Sequence, residues 1–313
     1  MSWVFIAAPS LNPMTAFFET FNLGSMLRKC PLPYNFPSYA SAFNPISIFN
    51  SIEDVFNKKM YTEKDIDFNK EIFFSYNHHS SYSSLNKEEV IKKTNNSISD
   101  NYDYLLNSKV LFLTFGTSWI YRNKTSKKVV ANCYKMPSNL FTKELLKVED
   151  IIINFENIIE KIKIINPNIQ IISTISPVRH WKDGAIENQV SKSTLFLALN
   201  EVNKKHPNCH YFPSYEIMLD DLRDYRFYEK DMLHPSPIAI DYIWKKLELS
   251  LLNKNTIDLN KKIVQLNSAI NHRAFNPNSE ETKRFKTSTL KKVIALEKEY
   301  NLNFELEKSN FIN

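Results

Sequence analysis

The sequence predicts an α/β protein, a layered sandwich around a mostly parallel sheet. Three observations predict it. Short runs of apolar or β-favouring residues recur at 110–115 and 169–176, and a third strand-like stretch spans 209–217. Runs of that length, closed by turn residues, read as strands buried on both faces. Helix-length segments with apolar residues three and four apart separate them, at 144–165 and 188–205. Strands that alternate with such helices build a parallel sheet with helices on its faces. In these sheets ligands sit beyond the carboxyl ends of the strands. The residues just after each apolar run are therefore the first candidates for function.

The elements follow in order. Residues 14–27 read as a short helix or buried segment that ends near Gly24. Pro31, Pro33, Pro37 and Pro45 make 28–45 loop-like. A helix over 46–60 follows from Ile48, Ile52, Val55 and Phe56, which share one face. Residues 71–84 give a strand and then a polar loop, and 86–107 a charged helix. The first buried strand, 110–115, stops at Gly116. The long helix over 144–165 carries Leu145, Leu146, Ile151, Phe155 and Ile162 on a broad apolar face, and Asn166-Pro167-Asn168 ends it. The second buried strand ends at Pro177, and the helix after it is stopped by His206-Pro207. A third strand spans 209–217. Helices are expected at 236–252 and 256–270, with a charged amphipathic helix at 280–300.

Composition sets outer bounds. The chain has 313 residues, of which 43% are hydrophobic and 13% aromatic, enough apolar surface to exclude a wholly disordered protein. Only 3 glycines occur, where ordinary usage gives about 22. Glycine-rich phosphate loops, collagen and glycine linkers are excluded. Forty Lys+Arg against 34 Asp+Glu leave a net charge of +6. The lysine pairs at 127–128, 204–205, 245–246, 261–262 and 291–292 are scattered and interleaved with acids. No concentrated basic stripe with aromatics is present, so nucleic acid is not an expected partner. Cys30, Cys133 and Cys209 form no CxxC pair and no zinc spacing. Neither a metal site nor a disulfide framework is expected, and a reducing, cytoplasmic compartment is. No apolar run reaches the roughly 18 residues of a membrane span. The N-terminal run MSWVFIAAPSLNP lacks a preceding basic residue and reads poorly as a signal peptide.

Three loops hold the chemistry. Gly116-Thr117-Ser118-Trp119 follows the first buried strand. There glycine allows a tight turn, and hydroxyls and amides can donate to an oxyanion; a plain strand-ending turn is the alternative. Ser176-Pro177-Val178-Arg179-His180-Trp181-Lys182-Asp183-Gly184 follows the second, and its density of polar groups suggests a binding surface. Downstream of the third comes Asp231-Met232-Leu233-His234-Pro235. That spacing lets Asp231 accept the proton of one ring nitrogen of His234, which fixes the tautomer and leaves the other nitrogen as a base. His78-His79-Ser80 reads equally as a binding loop or a surface loop. Cys133 reads as a small packed side chain, with no cue for a lowered pKa.

Taken in order, these pieces resemble one family. They are Phe43-Asn44-Pro45-Ile46-Ser47-Ile48, His78-His79-Ser80, the Leu113–Trp119 stretch and Val130-Ala131-Asn132-Cys133. Ser176–Trp181, Asp224-Tyr225-Arg226-Phe227-Tyr228 with Asp231–Pro235, and His272-Arg273-Ala274-Phe275-Asn276-Pro277 complete the series. It is similar to the GSCFA family, a branch of the SGNH (GDSL-type) hydrolase clan, from about residue 43 to 300. The resemblance implies a flavodoxin-like three-layer α/β/α sandwich and serine ester hydrolysis without metal or organic cofactor. Asp231 and His234 match the clan's Asp-x-x-His pair. Gly116, Thr117 and Ser118 stand where the clan holds the oxyanion, with Ala40 replacing a family glycine. Arg179 and His180 would contact the substrate, a small-molecule or carbohydrate ester. Oligomeric state is left open.

The resemblance breaks at the nucleophile, because the Gly-Ser-Cys-Phe-Ala stretch of the family is absent. Gly24-Ser25 keeps a Gly-Ser pair and makes Ser25 the expected nucleophile. Alternatively, residues 14–21 are the helix after the nucleophile, which then falls near Ser10. The expected organisation is a divergent part at 1–42, an α/β domain at 43–275 and a helical extension at 276–313. A binding protein that has lost its nucleophile is the alternative function.

Overall fold

The structure, a computed structural model, describes residues 3–7, 34–35, 43–270, 276, 279–300 and 308. The chain divides into two compact units, with the boundary after Trp244. Strands β1 (Trp3–Ala7) and β2 (Tyr34–Asn35) come first. Helix α1 (Pro45–Phe56) starts where Asn44 accepts a 2.9 Å bond from the Ser47 N–H, with Pro45 pre-set for the first turn. A small hairpin, β3 (Asp67–Asn69) and β4 (Ile72–Phe74), precedes α2 (Lys87–Asn107), which Asn86 caps. Strand β5 (Val110–Phe115) is buried at every position.

A three-stranded antiparallel sheet then inserts: β6 (Trp119–Asn123), β7 (Val129–Val130) and β8 (Phe141–Leu145), in the order β7-β6-β8. It corrects the expected helix start at 144. Leu145 ends a strand whose partner is Trp119, and α3 (Val148–Ile165) begins after Lys147 with Glu149 and Asp150 in its first turn. Acids there complement the positive end of the helix. Asn166 stops it, donating to the carbonyls of Leu105 and Ser108 at 2.9 and 2.7 Å. Then come β9 (Gln170–Ile175), α4 (Ala185–Lys205) and β10 (Cys209–Phe212). β10 is shorter than the expected run to 217, because the chain turns helical at Ser214. Helix α5 (Pro237–Leu251) buries Ala239, Ile240 and Ile243 and leads across the unit boundary.

The main sheet has the order β10-β9-β5-β1-β2 and all its pairs are parallel. Counting only its own strands from the other edge, the order is 2-1-3-4-5, that of flavodoxin-like folds. The molecule is a three-layer α/β/α sandwich. On one face, Leu111, Leu113 and Phe115 of β5 and Ile171 and Ile175 of β9 meet Ile48, Phe49 and Ile52 of α1, Phe155 and Ile159 of α3, and Leu195 and Leu199 of α4 in one core. Phe49 stacks on Phe155 with centroids 5.1 Å apart. Val110, Phe112 and Ile172, which alternate to the other face, are buried as well. That double coverage is why the strands read as unbroken apolar runs.

In the second unit, α6 (Lys254–Ile270) and α7 (Glu280–Tyr300) pair through Leu259, Ile263 and Leu266 against Val293 and Leu296. Lys262 reaches Glu299 at 3.2 Å. The apolar stripe of the tail helix is thus used within its own unit. Among the described residues, no helix is long and apolar enough to cross a membrane.

Candidate active site

The strand order reverses between β1 and β5, where Ala7 pairs with Thr114. A crevice opens beyond the carboxyl ends of strands at such a reversal. Gly116 leaves β5 there. Its N–H and that of Thr117 both donate to the Phe43 carbonyl, at 2.7 and 3.0 Å. A Cβ on residue 116 would lie 3.2 Å from both His180 Nε2 and the Phe43 carbonyl oxygen. Close approach explains this glycine.

The rest of the turn is tied to α4. The Thr117 hydroxyl pairs with Ser191 Oγ at 2.9 Å and accepts the Trp119 N–H. Ser118 is fully buried. Its N–H donates to Ser191 Oγ at 2.8 Å and its hydroxyl to the Ser191 carbonyl at 3.1 Å. Beside them lies Lys192, which the sequence reading missed. It is buried, and its ammonium donates to the carbonyls of Gly116 at 2.6 Å and Ser176 at 2.7 Å. One cation thus holds the loops that leave β5 and β9. Burial lowers its pKa to about 7, with Glu216 opposing the shift. The signal was in the spacing. Asn188, Ser191, Lys192, Leu195, Ala198, Leu199 and Val202 are the buried face of α4, so the lysine stands in the apolar register.

His180 closes over Gly116. Its N–H donates to Asn188 Oδ1 at 2.9 Å, and its ring stands edge-on to Phe43 with centroids 5.6 Å apart. Burial first, and then the charge of Lys192, holds its pKa down to about 4, so the ring is neutral near pH 7. Arg179, next in the chain, donates to the Met232 carbonyl at 2.7 Å. That bond joins the loop after β9 to the segment that carries Asp231 and His234.

The 227–236 segment is a closed loop. Its two arms meet at an antiparallel bridge between Tyr228 and Pro235. The Glu229 N–H donates to the His234 carbonyl and that of Ser236 to the Phe227 carbonyl, each at 2.7 Å. Met232 takes φ 59° to make the turn. Asp231 Oδ1 accepts the N–H groups of Leu233 and His234 at 2.9 and 3.0 Å, and its Oδ2 meets His234 Nδ1 at 2.5 Å. Partial burial works against ionising Asp231, but the bonds from the His234 N–H and ring and from the Leu233 N–H outweigh it. They bring its pKa down to about 2. The short loop has thus fixed the carboxylate, and the carboxylate has fixed the imidazole. Among the described residues no hydrogen bond reaches His234 Nε2, and the side chain is 36% exposed. With Nδ1 as donor, Nε2 is an accessible base.

The structure therefore brings together Asp231, His234 and Arg179, and separately Gly116, Thr117, Ser118 and His180, with Arg179 and His180 adjacent in the chain linking the two groups. Ser25 and Ala40, expected from the sequence as nucleophile and oxyanion donor, lie outside the described residues. His78 is no surface loop. It is buried, its ring edge-on to Tyr61 at 4.9 Å, and burial pushes its pKa down to about 3. His79 is buried too and caps a turn by accepting the Ser81 N–H. Cys133 is a thiol, its pKa raised to about 11 by burial. Among the described residues, no three His, Cys, Asp or Glu side chains gather in a way that could hold a metal ion.

The GSCFA family model matches residues 18–247. The model of the C-terminal domain of GSCFA domain proteins matches residues 263–312. A search of curated proteins finds no match.

Proposed function

From a chain that belongs to the GSCFA family, we propose a serine ester hydrolase in which the Asp231–His234 pair activates a hydroxyl of the N-terminal stretch. The supporting observation is the pair itself, with Nδ1 held at 2.5 Å and Nε2 open. In the proposed reaction Nε2 takes the serine proton as Oγ attacks the acyl carbonyl. The imidazolium, stabilised by Asp231, then protonates the departing alcohol oxygen. Water, deprotonated by the same nitrogen, releases the acid and restores the serine. No step draws on a metal or organic cofactor. The substrate is an ester of a small molecule or carbohydrate.

Of the two serines, we take Ser10 as the first candidate, because ligands in such sheets sit just beyond the carboxyl ends of the strands. In sequence Ser10 follows the last residue of β1 by three positions, whereas Ser25 stands nine positions before Tyr34 opens β2. Backbone amides near Ala40 and the nucleophile would supply the oxyanion donors. Thr117 and Ser118 could do so only by giving up Ser191.

The test is hydrolysis of a panel of p-nitrophenyl esters by wild type and by the His234→Ala, Ser10→Ala and Ser25→Ala variants. Losing the general base lowers kcat/KM by about 10²–10⁴-fold, and one serine variant matches it. Equal rates for wild type and His234→Ala would remove the mechanism. They would favour the second reading, a binding protein on the same fold, whose motivating observation is the missing Gly-Ser-Cys-Phe-Ala stretch.

A further inference from the structure

The Asp231–His234 loop is tight within itself, but its aim depends on what holds it. Inside the loop, Asp231 takes the N–H groups of Leu233 and His234, and the Met232 N–H donates to the Glu229 carbonyl at 2.9 Å. These bonds fix the imidazole against the carboxylate without fixing where the pair points. Among the described residues, one hydrogen bond reaches residues 229–234 from elsewhere in the chain, that of Arg179 Nη2 to the Met232 carbonyl at 2.7 Å. It lands on the apex, where Met232 stands at φ 59°. A side chain other than glycine persists in that region where its surroundings over-determine it. Arg179 is itself held in place. Its guanidinium lies 5.1 Å from the Trp181 ring and 5.4 Å from the Tyr228 ring, within the range at which a ring face attracts a cation. Tyr228 also pairs with Pro235 at the neck of the loop. One side chain therefore grips the loop at apex and neck. Its own backbone belongs to the turn after β9, whose Ser176 carbonyl Lys192 ties to that of Gly116.

A general base must keep its lone pair in line with the proton it takes, and a displacement of about 1 Å can cost on the order of 10²-fold in rate. The resemblance casts Arg179 as a substrate contact, yet its Nη2 and its two ring neighbours are engaged within the protein. We propose that Arg179 is a positioning residue. It acts through the Met232 carbonyl to hold the Asp231–His234 pair against the end of β9, and it touches neither substrate nor reacting atoms. The consequence for turnover rests on the hydrolase reading, whereas the hold on the loop does not.

Two measurements test this role. Hydrogen–deuterium exchange of the full chain reads the loop without any reaction. Arg179→Met should speed exchange across 228–236 at least tenfold and leave β5 and β9 unchanged. Arg179→Lys, which keeps a cation and a donor, should recover most of the protection. If Arg179→Met disturbs β5 and β9 as well, Trp181→Leu carries the test, with a smaller loosening confined to 228–236. No loosening of that segment overturns the proposal. In the kinetic arm, with p-nitrophenyl acetate, Arg179→Met should lower kcat at least tenfold and change KM less than twofold, and Arg179→Lys should restore most of kcat. A raised KM at unchanged kcat would make Arg179 a substrate contact and overturn the proposal. Loosening of 228–236 in a protein that cleaves no ester upholds the hold on the loop and removes the hydrolase reading instead.

Discussion

Lys192 shows how one side chain can organise a site it does not enter. Its ammonium is out of water, yet two strand-end carbonyls take its protons at 2.6 and 2.7 Å. Glu216 supplies the nearby negative charge, the neutral His180 ring lies close, and the Tyr215 ring is 5.5 Å away. The lowered pKa makes a signed prediction. Unfolded Lys titrates near 10.5 and the folded residue near 7. Between those values the unfolded chain binds more protons, so this residue adds stability as pH rises from about 7 to 10.5. Urea midpoints at pH 6.5 and 9.5 should show wild type gaining on Lys192→Met by on the order of a few kcal/mol. A pH-independent difference between the two proteins would show that the lysine does not titrate in this window. At this scale, legibility followed sequence separation. Asp231 and His234 could be paired on sight because four consecutive residues contain the whole interaction. The Ser191 that occupies Thr117 and Ser118 lies more than seventy positions away, and no local pattern announces it.

The elements that read correctly are those whose burial is uniform. β5 and β9 are enclosed on both faces, α1 and α2 begin at capping asparagines, and α3 carries a broad apolar stripe. The β6–β8 sheet escaped because its strands are short and mix buried with exposed positions, as β8 does. There the neighbouring Leu145 and Leu146 fit a helical stripe as well as a strand end. Gly184 belongs to this scale too. It opens α4 at φ 86° and ψ 162°, a conformation open essentially to glycine alone. A Cβ there would meet nothing within 4 Å, so the constraint is purely backbone. Gly184→Ala should cost about 1–3 kcal/mol in chemical denaturation. Because α4 carries Asn188, Ser191 and Lys192, the same variant should loosen the floor beneath His180. An unchanged denaturation midpoint would mean that the turn relaxes freely.

At the scale of the molecule, the parallel sheet and its 2-1-3-4-5 order explain why residues far apart in sequence face one crevice. Ala7 ends β1 opposite Thr114, one residue before the end of β5, at the reversal, and the loops from β5 and β9 are bound together by Lys192. The alternation of strands and helices was legible. The strand order was not, since pairing partners depend on contacts that no single segment encodes, and β1 did not read as a strand. The central claim is that His234 activates a serine just beyond β1. Its most direct test is covalent labelling with a fluorophosphonate, read by intact mass and peptide mapping. The account predicts one adduct on wild type, mapped to the peptide containing Ser10, and little or none on His234→Ala. Equal labelling of both proteins, or none of wild type, would contradict it.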